Sequence, residues 1–328
     1  MQIFLTGATG FIGTHLIQRL AGTGHELRCL VRRTSDTSQL EAAGARICVG
    51  DVGDAQSLGA AADGCQWVVH LANLYSFWER DPRRSAAVNI EGTRNVMRAA
   101  VDAGVGKVVH VSSVVAYGRP QDTPFVEDSA PGPGLFSEYA RTKQAGDRLA
   151  REVCNGGQVP LVVLYPAAVL GPGDRKASGQ YIADLVHRRL PATLLDRVVL
   201  TWVHVADVAE AIVRALEKEG TVDESYLVGK HQLSVGELNQ MVSEISGVAL
   251  PRLRIPDPLA MPLAGLLTRW ADLTGKPPKW GLARDYVATV REGIEAEGSR
   301  AERELGLEYT PIRTALEQML ATRTDAPC

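Results

Sequence analysis

The feature that most constrains the fold is a glycine-rich loop between a predicted strand, residues 2–6, and a predicted helix, residues 11–21. Gly7, Gly10 and Gly13 recur at every third position of this segment. A glycine at the turn avoids a Cβ clash, and the backbone N–H groups of a helix N-terminus bind pyrophosphate. The alternative is a tight turn without a ligand. Together with the chemical groups described below, the loop favours a dinucleotide site.

The first half of the chain repeats this alternation of strand and helix. Five more strands are predicted at 26–31, 46–49, 67–70, 107–111 and 161–165, and three more helices at 54–62, 83–103 and 138–154. The strands are rich in Val, Ile and Leu with little alternation, which is typical of parallel strands covered by helices on both faces. We therefore predict an α/β fold built on a Rossmann-type, doubly wound parallel sheet.

The second half is less regular. Helices are predicted at 205–217, 234–246 (with Ser234 as N-cap), 299–305 and 312–320, whereas prolines are expected to break up residues 251–262. We predict that residues 1–170 form the dinucleotide-binding domain and that residues 199–230 return to it. Residues 171–198 and 231–328 are expected to form a smaller, mostly helical substrate lobe over the carboxyl edge of the sheet.

Composition excludes several classes of function. The net charge is −3 and no block of Lys and Arg occurs, so no nucleic-acid partner is expected. We find no secretory signal and no apolar run long enough to cross a bilayer. Five scattered cysteines without a CxxC pair predict reduced thiols in a cytoplasmic protein. These cysteines are Cys29, Cys48, Cys65, Cys154 and Cys328. No metal site is expected.

A tyrosine and a lysine carry the candidate chemistry. Tyr139 and Lys143 lie four residues apart, one turn apart on the predicted helix. A phenol with a pKa of about 10 is a poor acid or base at neutral pH, but an ammonium group and a cationic nicotinamide nearby lower that pKa. Ser113 would donate to a substrate oxygen, and Lys143 would also bind the nicotinamide ribose. The alternative is that Tyr139 and Lys143 are an ordinary pair on a helix surface. Because the chain also carries the glycine loop of a dinucleotide site, we favour a role in hydride transfer.

The end of the second predicted strand bears on the choice of cofactor. An acidic residue there would bind a ribose 2′-hydroxyl, but the strand ends in Arg32 and Arg33. Guanidinium groups suit a 2′-phosphate, so NADP(H) is favoured, with NAD(H) and ordinary surface arginines as the alternatives. Asp51 follows the third strand, where it either meets the adenine edge or caps the next helix.

The chain resembles one family over nearly its whole length. The resemblance is carried by residues 6–13, 68–73, 89–93, 112–118, 166–173 and 203–209, together with Tyr139 and Lys143. They are similar to the extended, atypical short-chain dehydrogenases/reductases of the NAD-dependent epimerase/dehydratase family. The resemblance implies a structural role for Asn89, catalytic roles for Ser113, Tyr139 and Lys143, and a homodimer. Motifs and resemblance together give as cofactor contacts Gly7, Thr9, Gly10, Phe11, Ile12, Arg32, Arg33, Asp51, Val52, Leu71, Ala72, Asn73, Ser112, Tyr139, Lys143, Tyr165, Pro166 and Ala168.

Within the family, the chain resembles farnesol dehydrogenases, dihydroflavonol reductases and 3β-hydroxysteroid dehydrogenases, and such enzymes also use NAD despite the arginines. Two departures separate it from sugar-nucleotide enzymes. Val114 and Val115 stand where sugar dehydratases carry an Asp-Glu pair, and Tyr165 replaces the Arg usual before that proline.

The substrate site is expected at the end of the fourth strand. Tyr75, Phe77 and Trp78 follow that strand and predict an apolar pocket wall, or else core packing. Residues 259–270 predict an apolar lid, or else a dimer or membrane-surface contact. For His204 we favour a hydrogen-bonded core imidazole over a substrate ligand.

These patterns predict an NAD(P)-dependent oxidoreductase that interconverts a small hydrophobic ketone or aldehyde and its alcohol. The expected partners are the cofactor and this small substrate. Ser113 and Tyr139 would contact the substrate. The alternatives are an epimerase that uses bound NAD on a sugar nucleotide, and a non-catalytic dinucleotide sensor.

Overall fold

A computed structural model describes residues 1–220 and 222–324. Its strands are β1 (Gln2–Thr6), β2 (Glu26–Val31), β3 (Arg46–Val49), β4 (Trp67–His70), β5 (Lys107–Val111), β6 (Leu161–Pro166), β7 (Ala168–Leu170), β8 (Ala192–Leu194), β9 (Val199–His204), β10 (Glu224–Val228), β11 (His231–Ser234) and β12 (Leu253–Ile255). Seven of them form one parallel sheet in the order β10-β6-β5-β4-β1-β2-β3. The order reverses between β1 and β4, and this reversal is where doubly wound sheets bind ligands.

The helices are α1 (Phe11–Leu20), α2 (Ser38–Ala42), α3 (Ala55–Ala62), α4 (Arg83–Ala86), α5 (Thr93–Asp102), α6 (Glu138–Gly156), α7 (Ala177–Val186), α8 (Val205–Glu217), α9 (Val235–Ser246), α10 (Asp257–Thr274), α11 (Arg284–Arg291), α12 (Ser299–Leu305) and α13 (Ile312–Thr324). A π-helical segment, Ala87–Gly92, joins α4 to α5. Around the large sheet, α1 packs on α8, and α5 packs between α3 and α6. Every residue of β5 and β6 is buried, as expected for strands covered on both faces. The predicted Rossmann-type fold is confirmed.

Two smaller sheets and two further apolar clusters lie beyond β6. One sheet has the order β11-β9-β7, and the other pairs β12 with β8. One cluster joins residues of α7, α9 and α13, and the other packs α10 against α11. Because β9 pairs outside the large sheet whereas β10 extends it, residues 199–230 contribute to both sheets. The division into two domains stays a prediction.

The expectation that prolines break up residues 251–262 is wrong, because α10 runs without interruption from Asp257 to Thr274. Pro258 lies in the first turn, where the missing N–H would have had no intrahelical partner. Pro262 removes one backbone hydrogen bond from the second turn. Packing of Ala260 and Ala264 against the apolar cluster below offsets that loss.

The structure also describes the state of four cysteines and the apolar character of the helices. Cys29, Cys48, Cys65 and Cys154 are free thiols, and Cys328 lies outside the described residues. Among the described helices, none has the length and apolar character needed to cross a membrane.

Candidate active site

The glycine loop has a geometry that only glycine fits. Gly7 has a φ of +75°, and a Cβ there would lie 2.6 Å from the backbone nitrogen of Ala72, just after β4. A Cβ on Gly13 would lie 2.3 Å from the carbonyl oxygen of Gly7. The helix α1 begins after Gly10 with no side-chain cap, so its N-terminal N–H groups are available to an anion. The residues present therefore fit a dinucleotide pyrophosphate.

A cavity of about 880 Å³ extends from this loop along the carboxyl edge of the sheet. Most of the predicted cofactor contacts line it: Gly7, Thr9, Gly10, Phe11, Ile12, Arg32, Asp51, Val52, Leu71, Ala72, Asn73, Ser112, Tyr139, Pro166 and Ala168. Within the described chain, Arg33, Lys143 and Tyr165 are not among the lining residues. The cavity thus joins the glycine loop to Ser113 and Tyr139, two of the three predicted catalytic residues.

Tyr139 lies in the first turn of α6, whose start is held from two sides. Ser137 caps the helix by accepting a hydrogen bond from the Ala140 N–H at 3.1 Å. The Asp285 carboxylate accepts one from the Glu138 N–H at 3.0 Å. This fixed helix start sets the position of the Tyr139 side chain.

Ser113 and Tyr139 both line the cavity. Ser113 follows β5 in an extended conformation. Burial raises the pKa of Tyr139 well above its usual value, and the nearby Ser113 side chain opposes that rise. Burial therefore outweighs the lowering expected from the sequence, and the phenol is held in its protonated form.

Lys143 lies one turn further along α6 and is buried. Its Nζ donates to the carbonyl oxygen of Val111, at the end of β5, at 2.9 Å. Burial lowers the pKa of Lys143, and the nearby carboxylate of Asp147 raises it. This hydrogen bond ties α6 to the strand that leads to Ser113.

Asp147, which the sequence analysis missed, organises the polar groups beneath the cavity. Its Oδ2 accepts from the Ser112 hydroxyl at 2.6 Å, and its Oδ1 lies 3.1 Å from His110 Nε2. The hydroxyl group of Ser112 therefore donates to Asp147, whereas no such bond to Asp147 involves Ser113 among the described hydrogen bonds. The signal for Asp147 was present: it follows Lys143 by four residues, on the same helix face.

Replacing Asp147 with Asn tests whether this carboxylate maintains the charge of Lys143. Because the carboxylate raises the pKa of Lys143, its loss makes that pKa fall, and activity that needs the ammonium group is lost at lower pH. We expect the alkaline limb of the kcat/KM profile to move to lower pH. The matched variant Asp184→Asn, which alters a buried carboxylate on α7, leaves that limb in place. An unchanged profile for Asp147→Asn contradicts the assignment.

Aromatic rings surround the phenol on the substrate side. The ring centroids of Tyr75 and Phe77 lie 5.0 and 5.8 Å from that of Tyr139. Tyr286 of α11 packs edge-on against Phe77 at 5.3 Å and also lines the cavity. Trp78 does not line the cavity; its indole N–H donates to Asp272 of α10 at 2.9 Å. The sequence carries no signal for Tyr286, because only the fold brings α11 to β4.

Asn89 attaches this aromatic loop to the catalytic helix. Its Oδ1 accepts from the Leu74 N–H at 2.7 Å, and its Nδ2 donates to the Thr142 hydroxyl at 3.0 Å. Thr142 lies between the two predicted catalytic residues of α6. The π-helical segment Ala87–Gly92 contains Asn89 and turns its amide toward both elements.

For Asp51 the structure distinguishes the two alternatives. The N-cap of α3 is Asp54, whose side chain accepts from the Gln56 N–H. The Oδ1 atom of Asp51 instead accepts from the Gly53 N–H at 2.8 Å, and the residue lines the cavity. The interpretation of Asp51 as a helix cap is wrong, and a contact with the adenine edge stays a prediction.

Neither His204 nor Tyr165 is among the described residues that line the cavity, so the predicted cofactor contact of Tyr165 is not supported. Nδ1 of His204 accepts from the Ala206 N–H, and its Nε2 lies 3.0 Å from the Gln318 side-chain oxygen. It is therefore a buried, hydrogen-bonded core imidazole, as favoured from the sequence. Tyr165 packs edge-on against Tyr117 at 4.9 Å.

A parallel sheet whose order reverses above a phosphate-binding loop defines the class of α/β dinucleotide-binding enzymes. The NAD dependent epimerase/dehydratase family matches residues 3–229, and the chain belongs to this family. The predicted family membership is confirmed, and with it the expectation of an NAD(P)-dependent enzyme of the dehydrogenase/reductase type.

Individual relatives match over most of their length. A sterol demethylase protein B from Methylococcus capsulatus is 32% identical over 332 residues, which cover 98% of each chain. A ceramide reductase from Caulobacter vibrioides is 30% identical over 292 residues, which cover 88% of this chain and 84% of that protein. The crystal structure of gox2253 superposes with a TM-score of 0.83 at 33% identity and covers 97% of this chain and 96% of that one.

Proposed function

We propose that the protein is an NAD(P)H-dependent reductase that interconverts a hydrophobic ketone or aldehyde and the corresponding alcohol. The observation that carries this proposal is that Ser113 and Tyr139 line the same cavity, beside an aromatic wall that packs on Tyr139. Two hydroxyl-bearing residues beside apolar rings suit a carbonyl oxygen on an otherwise apolar molecule. The names of the sterol and ceramide relatives support a lipophilic substrate.

Each residue has a definite task in this proposal. A bound reduced nicotinamide supplies the hydride. Ser113 donates a hydrogen bond to the carbonyl oxygen and positions it, and Tyr139 gives its proton to that oxygen. The phenol is protonated at neutral pH and burial raises its pKa further, so it can act as the proton donor in reduction. Lys143 holds α6 against β5 through its hydrogen bond to the Val111 carbonyl oxygen, and its contact with the cofactor ribose stays a prediction.

The cofactor preference is proposed from the end of β2. Arg32 is exposed and lines the cavity together with Ser35 and Ser38. A guanidinium group and hydroxyl groups at this position suit a ribose 2′-phosphate, so we favour NADP(H) over NAD(H). A cytoplasmic location and a homodimer stay predictions from the sequence.

Replacing Arg32 with Ala tests this preference. We expect the KM for NADPH to rise by about tenfold or more, since a charge-assisted phosphate contact is lost, while the KM for NADH changes little. Arg33→Ala is the matched control, because it removes the same charge one residue away from the cavity lining, and we expect a smaller effect. Equal KM values for NADPH and NADH in the wild-type protein would contradict the preference.

A substrate panel tests the reaction itself. Aliphatic and aromatic ketones and aldehydes are incubated with NADPH or NADH, and the loss of reduced nicotinamide is followed by absorbance. A reductase consumes the cofactor stoichiometrically with product. An epimerase converts a sugar nucleotide with no net consumption, and a dinucleotide sensor binds the cofactor and converts neither. Either of the last two results overturns the proposal.

A further inference from the structure

The outward face of α10 carries a continuous apolar stripe. Leu259, Leu266, Trp270 and Leu273 are 56%, 65%, 37% and 88% exposed. Their spacing of seven, four and three residues places them on one side of the helix over four turns. We call these four residues the α10 stripe.

Exposed apolar side chains are concentrated in this region. The described chain exposes ten large hydrophobic side chains, and six of them lie in residues 253–280. Leu253 and Trp280 flank α10 in the sequence. Contiguous apolar surface of this kind marks an interaction site, whereas single exposed hydrophobic residues do not.

The charge around the stripe is opposite in sign to that of the whole protein. Residues 252–285 contain six Lys and Arg residues and three Asp residues, a net charge of +3, whereas the whole chain carries −3. Arg269, Lys276 and Lys279 are exposed beside the stripe, and the Lys279 Nζ lies 5.8 Å from the Trp270 ring centroid. An apolar face bordered by basic residues is complementary to an anionic lipid surface.

The inward face of α10 covers the apolar end of the cavity. Ala260 and Ala264 pack in one cluster with Leu195, Leu282 and Val287. The last three of these residues also line the cavity. One helix therefore separates the proposed substrate site from the surface that carries the stripe.

A second contact connects α10 to the catalytic wall. The hydrogen bond from the Trp78 indole to Asp272 attaches the helix to the loop that carries Tyr75 and Phe77. Both of those rings pack against Tyr139. A displacement of α10 at its outer surface would thus reach the aromatic wall of the cavity.

We propose that the α10 stripe docks the protein on the surface of an anionic lipid bilayer, with the apolar end of the cavity facing the membrane. The contact is peripheral, since none of the described helices could span a bilayer. A second copy of the chain is a poorer partner. A two-fold contact through this face would set one basic segment against another, which opposes association.

Vesicle sedimentation tests the proposal with the full-length protein and no substrate, so its outcome is independent of the proposed reaction. We expect binding to phosphatidylcholine vesicles that contain about 30% phosphatidylglycerol and much weaker binding to pure phosphatidylcholine. The double variant Leu266→Glu/Leu273→Glu should reduce the partition coefficient by about tenfold or more. Val222→Glu is the control, because Val222 is 72% exposed outside this region, and it should bind as the wild type does.

A charge variant gives an independent arm. Lys276→Glu/Lys279→Glu should also weaken binding to the anionic vesicles, and added salt should weaken the binding of the wild type. Both double variants alter exposed side chains, and circular dichroism checks that they fold. Wild-type protein that does not bind anionic vesicles, or stripe variants that bind equally well, overturns the proposal. So does a wild-type dimer that the stripe variants convert to monomers, because the stripe is then a subunit interface.

Discussion

Replacing Tyr139 with Phe is expected to lower kcat for carbonyl reduction by about 10²–10⁴-fold, the usual contribution of a positioned general acid. The substitution removes only the hydroxyl group of a residue that lines the cavity together with Ser113. The ring packing with Tyr75 and Phe77 is retained, so the fold and the cofactor site should be unaffected. Steady-state rates and a fluorescence titration with NADPH measure the two effects separately, and we expect the Kd to change by less than about threefold.

Tyr117→Phe is the matched control for this substitution. Tyr117 is also buried, but its hydroxyl donates to the Glu127 carbonyl oxygen and the residue does not line the cavity within the described structure. Its loss should cost about 1 kcal/mol of unfolding free energy and leave kcat nearly unchanged. If Tyr139→Phe retained most of the wild-type kcat, the assigned proton donor would be wrong.

The second large effect is expected from Gly13→Ala. The new Cβ would lie 2.3 Å from the Gly7 carbonyl oxygen and 2.6 Å from that of Ala8. Both are backbone atoms of the phosphate loop, so α1 and the loop must move apart. We expect a loss of about 1–3 kcal/mol in unfolding free energy from overpacking. Dinucleotide binding should weaken by about a hundredfold, as displacements on the order of 1 Å do at positioned sites.

Gly59→Ala separates this steric effect from the general effect of replacing a helical glycine. A Cβ on Gly59 of α3 has no atom within 4 Å, so the change should stabilise the helix by about 0.5–1 kcal/mol and leave cofactor binding intact. Urea unfolding and NADPH titration of both variants provide the measurement. Wild-type cofactor affinity in Gly13→Ala would show that the loop does not hold the dinucleotide.

Local patterns in the sequence predicted five strands of the large sheet with their bounds. The strands β1 to β5 begin and end where predicted, because buried parallel strands appear as short apolar runs. The boundaries of α8 and the Ser234 cap of α9 also agree with the prediction, since both helices have clear local signals. Ser113, Tyr139 and Lys143 could be proposed from motif and spacing, and their catalytic roles stay predictions.

Features that depend on distant contacts could not be predicted. Tyr286 reaches the aromatic wall only because α11 packs against the start of α6, where Asp285 binds the Glu138 N–H. Trp78 shares a loop with Phe77, yet its indole binds Asp272 instead of facing the cavity. The helix α10 was missed because two prolines are strong local signals against a helix, and only tertiary packing overrides them.

Transfer of an isotopic label tests the central claim most directly, namely that the phenol and serine hydroxyls serve a hydride transfer to a carbonyl. The wild-type protein is incubated with the best carbonyl of the panel and nicotinamide cofactor deuterated at C4 of the reduced ring, and the alcohol is analysed by mass spectrometry. We predict an alcohol with one deuterium on the former carbonyl carbon, formed at a rate that falls with Tyr139→Phe. An unlabelled product, or a labelled product formed at the same rate by both proteins, would contradict the account.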